Sequence, residues 1–231
     1  MEKFLSLFSE MFQKLWANGD IQRGVWETVY LTLLSALIAY IIGLPLGLLL
    51  SVTGEGGIRP IKWLNKTLSV VVNIFRSMPF IILMVAMLPV AKAVVGTSLG
   101  NRAMIVMLVI AAAPYVGRMV ESSVKEVSAG VIEAAQSMGC TNFQIITRVL
   151  LPEAKPALIH GAVISMVTIL GYSAMAATIG GTGLGQIAII YGHQRSNSDI
   201  TWTCVLLMVV IVQAIQIVGT YIERKTDKRI K

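Results

Sequence analysis

Gly180-Gly181-Thr182-Gly183-Leu184-Gly185 has the residue types of a phosphate-cradling loop, in which glycines let backbone N–H groups approach anionic oxygens. The context excludes that chemistry. No Gly-Lys-Ser/Thr follows, and the preceding run is apolar and span-length rather than a short strand. The glycines therefore predict a tight turn, and any nucleotide chemistry has to come from another chain. His160 and His193 lie far apart, and neither has a serine or cysteine at a spacing that supports nucleophilic catalysis. Cys140 and Cys204 form no CxxC and no Cys/His ligand set, so neither a metal site nor a disulfide is expected. No pair of carboxylates lies inside an apolar run, which leaves proton-coupled transport without a relay.

The polar residues concentrate instead in EAAQSMGCTNFQIITRVLLPEA, residues 133–154. Val131, Ala134, Ala135 and Met138 recur at helical spacing and give a first short helix one apolar face. Gly139 stands where a helix end requires positive φ, and Thr141 with Gln144 forms a capping box opening a second helix. Pro152 is expected to end that second helix, and Pro156 to sit in the first turn of the next. The result is a rigid elbow with an apolar face and a glutamate, Glu133, beside it. Such an elbow suits a groove on a water-soluble partner; the alternative is an elbow folded under its own helices.

The elements around the elbow are those of a membrane. Of 231 residues, 55% are hydrophobic and only 13% charged, with a mean hydropathy of +0.76; a soluble domain is usually about 25% charged. Five runs approach the ~20 residues needed to cross hydrocarbon: about 28–52, 68–95, 103–120, 157–179 and 201–221. They are continuous rather than alternating, so the expected fold is an all-α integral membrane protein with five transmembrane helices. The net charge of +7 has no aromatic-interleaved basic face behind it, so no nucleic-acid partner is expected.

The basic residues orient the spans. Twelve (Arg59, Lys62, Lys66, Arg118, Lys125, Arg148, Lys155, Arg224, Lys225, Lys228, Arg229 and Lys231) fall on one side of a five-span chain. Six (Lys3, Lys14, Arg23, Lys92, Arg102 and Arg195) fall on the other. Lysine and arginine favour the cytoplasm, which puts the N-terminus outside and places the elbow and the basic tail, residues 222–231, inside. Residues 1–20 read as an amphipathic helix with Phe4, Leu5, Phe8, Met11, Phe12, Leu15 and Trp16 on its apolar side; it either lies in the lipid interface or packs on the protein's own spans.

Within the spans, Gly43 and Gly47 flank Pro45 at GxxxG spacing, and Pro79 and Pro114 mark bends. Gly161, Ser165, Thr168, Tyr172 and Met175 fall on one face of the fourth span. A mildly polar face of this kind would let a zwitterion pass without trapping it, with Met166 one position away to narrow a gate. The same pattern also serves simply to glue helices. Arg76, a charge within an apolar run, is a candidate for gating or for touching a substrate carboxylate if it does not snorkel to the membrane surface.

Glu133-Ala134-Ala135, three residues, Gly139, nine residues, then Val149-x-Leu151-Pro152 resembles the EAA loop of ABC importer permeases, with Val149 where the family usually has isoleucine. The likeness runs over residues 24–219. NIFRSMPFIIL, APYVGRMVE and GYSAMAATIGGTGLGQIAIIYGHQR are similar to the methionine-importing branch. The resemblance implies a type I ABC importer transmembrane domain whose loop, residues 128–154, is a cytoplasmic coupling helix, with Glu133, Ala134, Ala135, Gly139, Leu151 and Pro152 as its coupling residues. It further implies a homodimer in the bacterial inner membrane, two ATPase subunits carrying ATP and magnesium, and an extracytoplasmic methionine-binding lipoprotein. The cargo would be methionine, L- and D-. Alternatives are another small amino acid or, less in keeping with the missing relay, a secondary transporter.

Overall fold

Long apolar runs fold as helices because a helix satisfies its own backbone polar groups, which hydrocarbon cannot do. The computed structural model describes residues 10–227 except 177 and 179, and among these every regular element is helical. In chain order they are α1 Glu10–Ala17, α2 Asp20–Thr53, α3 Lys62–Ser77, α4 Phe80–Ala86, α5 Leu88–Val95, α6 Asn101–Lys125 and α7 Ala129–Ser137. Then follow α8 Asn142–Ala176, α9 Leu184–Gln186 continued as a π-helical stretch Ile187–His193, and α10 Ser198–Thr226.

Among the described residues four helices, α2, α6, α8 and α10, are long and apolar enough to cross a membrane; α2, α6 and α10 each contain one of the expected spans, and α8 covers the span 157–179 as far as Ala176. The exception is 68–95. That run breaks at Met78-Pro79, where α3 and α4 diverge by 106°. Met78 is extended (φ −78°, ψ 132°), the conformation a following proline imposes. The fifth expected span is therefore a bent pair, α3 with α4, rather than one rod. Hydropathy registered the apolar length and not the turn.

The chain clusters into two compact units. The first comprises the described residues of Met1–Ser35, Phe80–Val109 and Met166–Ile215. There Phe12 and Leu15 of α1 join Ile21, Leu184, Ile187, Ala188, Ile200 and Cys204 in one apolar cluster. The described part of the opening helix thus rests its apolar face on the protein's own helices; Phe4, Leu5 and Phe8 lie outside the described residues.

The second unit comprises Ala36–Pro79, Ile110–Ser165 and the described residues of Gln216–Lys231. Here the GxxxG of α2 meets α6. A Cβ built on Gly47 would stand 2.4 Å from the Gly117 carbonyl oxygen, and one on Gly43 would stand 2.6 Å from Val116. Only glycine allows that approach, and Pro45 between them leaves α2 unbroken. Burial separates the long helices: 61% of the most apolar window of α6 is buried within the chain, against 6% for α10. Trp202, Leu206, Val210, Ile217 and Tyr221 of α10 stay exposed, as a lipid-facing or partner-facing surface would.

Candidate functional site

The elbow is built from two caps placed back to back. α7 ends in a complete Schellman motif: Gly139 is left-handed (φ +76°), its N–H donates to the Gln136 carbonyl (2.9 Å), and the Cys140 N–H donates to that of Ala135 (3.2 Å). Two residues later Thr141 Oγ1 accepts from the Gln144 N–H (3.4 Å), while Gln144 Oε1 accepts from the Thr141 N–H (2.9 Å). That is the capping box expected from the sequence. The backbone polar groups at the corner are thus satisfied locally, and its shape does not depend on an outside partner.

The apolar face of α7 divides. Ala135 turns inward and is buried, as are Ile145 and Leu150 of α8, whereas Val131 and Ala134 are exposed with Glu133. Met138 is 76% exposed and Phe143 74% exposed, one on each side of the Gly139 turn. Two large apolar side chains on a rigid corner, with the exposed Glu133 carboxylate on the helix that leads into it, match a concave apolar acceptor.

Pro152 does not end the second helix. Residues Asn142–Ala176 run without interruption, with Pro152 and Pro156 inside. The turn before Pro152, Ile145–Leu150, is π-helical, and the Leu151 N–H reaches back five residues to the Ile146 carbonyl. The wider register loosens the wall against which a proline ring normally clashes. Leu151 and Pro152 consequently lie on the first turn of the spanning part of α8.

The stripe on α8 also divides. In the second unit, Ser165 is 0% exposed and donates to the Gly161 carbonyl (2.8 Å), and Gly161 is buried. In the first unit, Met166, Thr168 and Tyr172 are half-buried and Met175 is exposed. The Tyr172 ring stacks on Phe80 at 4.3 Å with a 4° interplanar angle. The glycine-rich turn, in the same unit, is tied rather than open. Gly180 and Gly183 have positive φ, the Leu184 N–H donates to Thr28 Oγ1 (2.9 Å), and Thr182 bonds to Asn101.

Charge collects at the end of α6. Glu121, buried, accepts from Arg118 Nη1 (2.5 Å) and from Lys125 Nζ (2.7 Å). Arg118 Nη2 donates to Asn73 Oδ1 on α3 (3.1 Å). Arg76, one turn further along α3, is exposed and makes no ion pair among the described residues. His160 pairs through Nδ1 with Glu223 (3.0 Å) at a cavity of about 290 Å³ also lined by Ser122, Ser123, Glu126, Glu153 and Asp227. No metal-competent cluster occurs among the described residues.

Residues 43–228 match the family of binding-protein-dependent transport system inner membrane components. The chain belongs to this family. It is 44% identical over 223 residues to the probable D-methionine transport system permease of Vibrio cholerae, covering 96% of this chain and 99% of that one. It is 51% identical over 153 residues to the D-methionine transport system permease of Escherichia coli K12, covering 66% and 70%. Among solved structures it resembles an inward-facing conformation of the MetNI methionine ABC transporter, with a TM-score of 0.90, 45% identity, and coverage of 95% of this chain and 100% of that one.

For an inner membrane component of this family, an ABC importer permease of type I, the elbow was the legible part of the site. The Glu121 cluster was not: Asn73 and Arg118 stand 45 positions apart, and nothing local announces their bond. The signal available was the i, i+3 and i, i+4 spacing of Arg118, Glu121 and Lys125.

Proposed function

We propose that this permease forms one half of an ATP-driven import path for methionine. It works as a homodimer with an ATPase subunit docked on each elbow and an extracytoplasmic methionine-binding protein on the opposite side. The observation that carries the reading is the elbow itself. Its Schellman turn and capping box are internally complete, and Met138 and Phe143 project from it largely uncovered by the described residues.

ATP and magnesium are held by the ATPase; this chain contributes motion. When the two ATPases close, the elbows approach and the bundles rotate as rigid bodies between inward-facing and outward-facing states. Glu133, Ala134, Ala135, Gly139, Leu151 and Pro152 transmit the movement. Thr168, Tyr172 and Met175 line the path with Met166 beside it, and Gly161 and Ser165 lie inside the helix packing in the present conformation. The N-terminus is outside, and the elbow and C-terminal tail are cytoplasmic, following the excess of lysine and arginine.

The test is uptake in proteoliposomes holding the permease, its ATPase and the binding protein. Labelled methionine should accumulate only with ATP inside and binding protein outside. Uptake of a different small amino acid in its place would overturn the cargo assignment. Uptake driven by an ion gradient without the ATPase would overturn the class. Thiol labelling of single cysteines placed in the N-terminal stretch and the C-terminal tail should occur from opposite sides of the membrane.

A further inference from the structure

Within the second unit, α8 and α10 meet at two points in antiparallel register, Val163 with Gly219 and His160 with Glu223. A Cβ built on Gly219 would stand 2.0 Å from Val163 Cγ2, so the glycine is what lets the helices come this close. From Val205 to Thr226, Gly219 is the one residue of α10 that is buried within this chain. One turn further along α10, Glu223 Oε2 lies 3.0 Å from His160 Nδ1, itself one turn back along α8. A carboxylate accepts and does not donate, which assigns the proton to Nδ1.

The two contacts do different work. The glycine approach sets the distance between the helices but allows them to slide or turn. The imidazole–carboxylate bond is directional and fixes their register. Packing does not fix it, because beside the pair α6, α8 and α10 part around the cavity of about 290 Å³, lined by Ser123 and Glu126 of α6, Glu153 and Ala157 of α8 and Asp227 past the end of α10. The bond adds little to stability, since the His160 side chain is 60% exposed and that of Glu223 28%. Its placement matters more. His160 and Val163 stand on the same uninterrupted helix that opens at the elbow.

We propose that these two contacts form a strap that makes the end of α10 move as one body with α8, so that a displacement of the elbow is carried on to α10. His160 and Glu223 are positioning residues, acting through the register of the two helices. This rests on the import reading above and extends its coupling path beyond the elbow.

The test uses the complete transporter in proteoliposomes and reads methionine taken up per ATP hydrolysed. His160→Ala and Glu223→Ala should each lower that ratio about two- to fivefold, the range of a partly solvated pair, while ATP hydrolysis continues. The double variant should be no worse than the poorer single one, because the second change removes a contact already lost. Gly219→Ala should lower the ratio about tenfold by forcing the helices apart, and Val163→Ala on that background should restore most of it. In a chain carrying Cys140→Ser and Cys204→Ala, the pair His160→Cys with Glu223→Cys should show the same loss as the alanine pair. Bridging the two thiols with a short bifunctional reagent should then restore the ratio. The proposal is overturned if bridging fails to restore it, if the losses of the two alanine variants multiply, or if Gly219→Ala couples normally. The bridging arm compares one assembled transporter before and after reaction, so it holds even if the glycine variant fails to fold. Failure of the unmodified transporter to take up methionine would instead sink the import reading.

Discussion

Asn73 of α3 and Arg118 of α6 are joined side chain to side chain, Oδ1 to Nη2 at 3.1 Å, while the other terminal nitrogen of the same guanidinium bonds to Glu121. A residue of α3 is thereby tied to a buried carboxylate about one turn before the end of α6. The tie lies in the stretch that leads directly into the elbow.

Glu121→Ala should therefore cost more than its position at a helix end suggests. It strands Arg118 and Lys125 without their acid, and removing one partner of a buried pair is strongly destabilising. Because both cations are partly solvated, the loss is expected near 1–2 kcal/mol rather than the full buried-pair figure of about 3–5 kcal/mol. Asn73→Ala should cost under about 1 kcal/mol. Thermal unfolding in detergent measures both, and equal losses for the two variants would contradict the ranking.

Gly139→Val should stop coupling without preventing membrane insertion. Nothing lies within 4 Å of a Cβ at this position, so the penalty comes from the positive φ alone. It amounts to about 1–2 kcal/mol for an ordinary residue and more for a β-branched one. Gly139→Asn, which tolerates this conformation, should retain most uptake. Wild-type uptake by the valine variant with its ATPase bound would remove the corner from the mechanism.

Met138→Ser together with Phe143→Ser should leave the unfolding temperature of the permease unchanged, because both side chains are largely exposed. The same pair should sharply reduce the ATPase that co-purifies with it. Full recovery of the complex would show that these side chains are not the docking contacts.

Cysteines along α8 should report the divided stripe. In the nucleotide-free transporter a cysteine at Met175 should react with a small water-soluble thiol reagent, and one at Ser165, fully buried, should not. Equal reactivity at both positions would restore a single continuous face.

Local chemistry was readable wherever one residue answers to its near neighbours. Gly139, Thr141 and Gln144 declare their caps by identity and spacing, and Gly43 with Gly47 declares a close helix approach. What misled were features that depend on register or on the far end of a side chain. The bend expected at Pro79 is there, but its size, 106°, was not readable, so the apolar run across it was drawn as a single span. Pro152 looked terminal because a proline ordinarily is, and the π turn that accommodates it leaves no composition signal. Helical spacing put Ser165 with Thr168 and Met175, but which of these is covered depends on neighbouring helices that periodicity does not describe.

The bond between Asn73 and Arg118 also bears on the order of synthesis. α3 is only 16 residues long and carries Asn73, Arg76 and Ser77 near its end, so it is a weak candidate to leave the translocation channel for lipid unaided. Its partner on α6 lies 45 residues downstream and has not been made when α3 emerges. The segment is then expected to linger at the channel mouth until α6 arrives, and the two to enter the bilayer together as a hairpin.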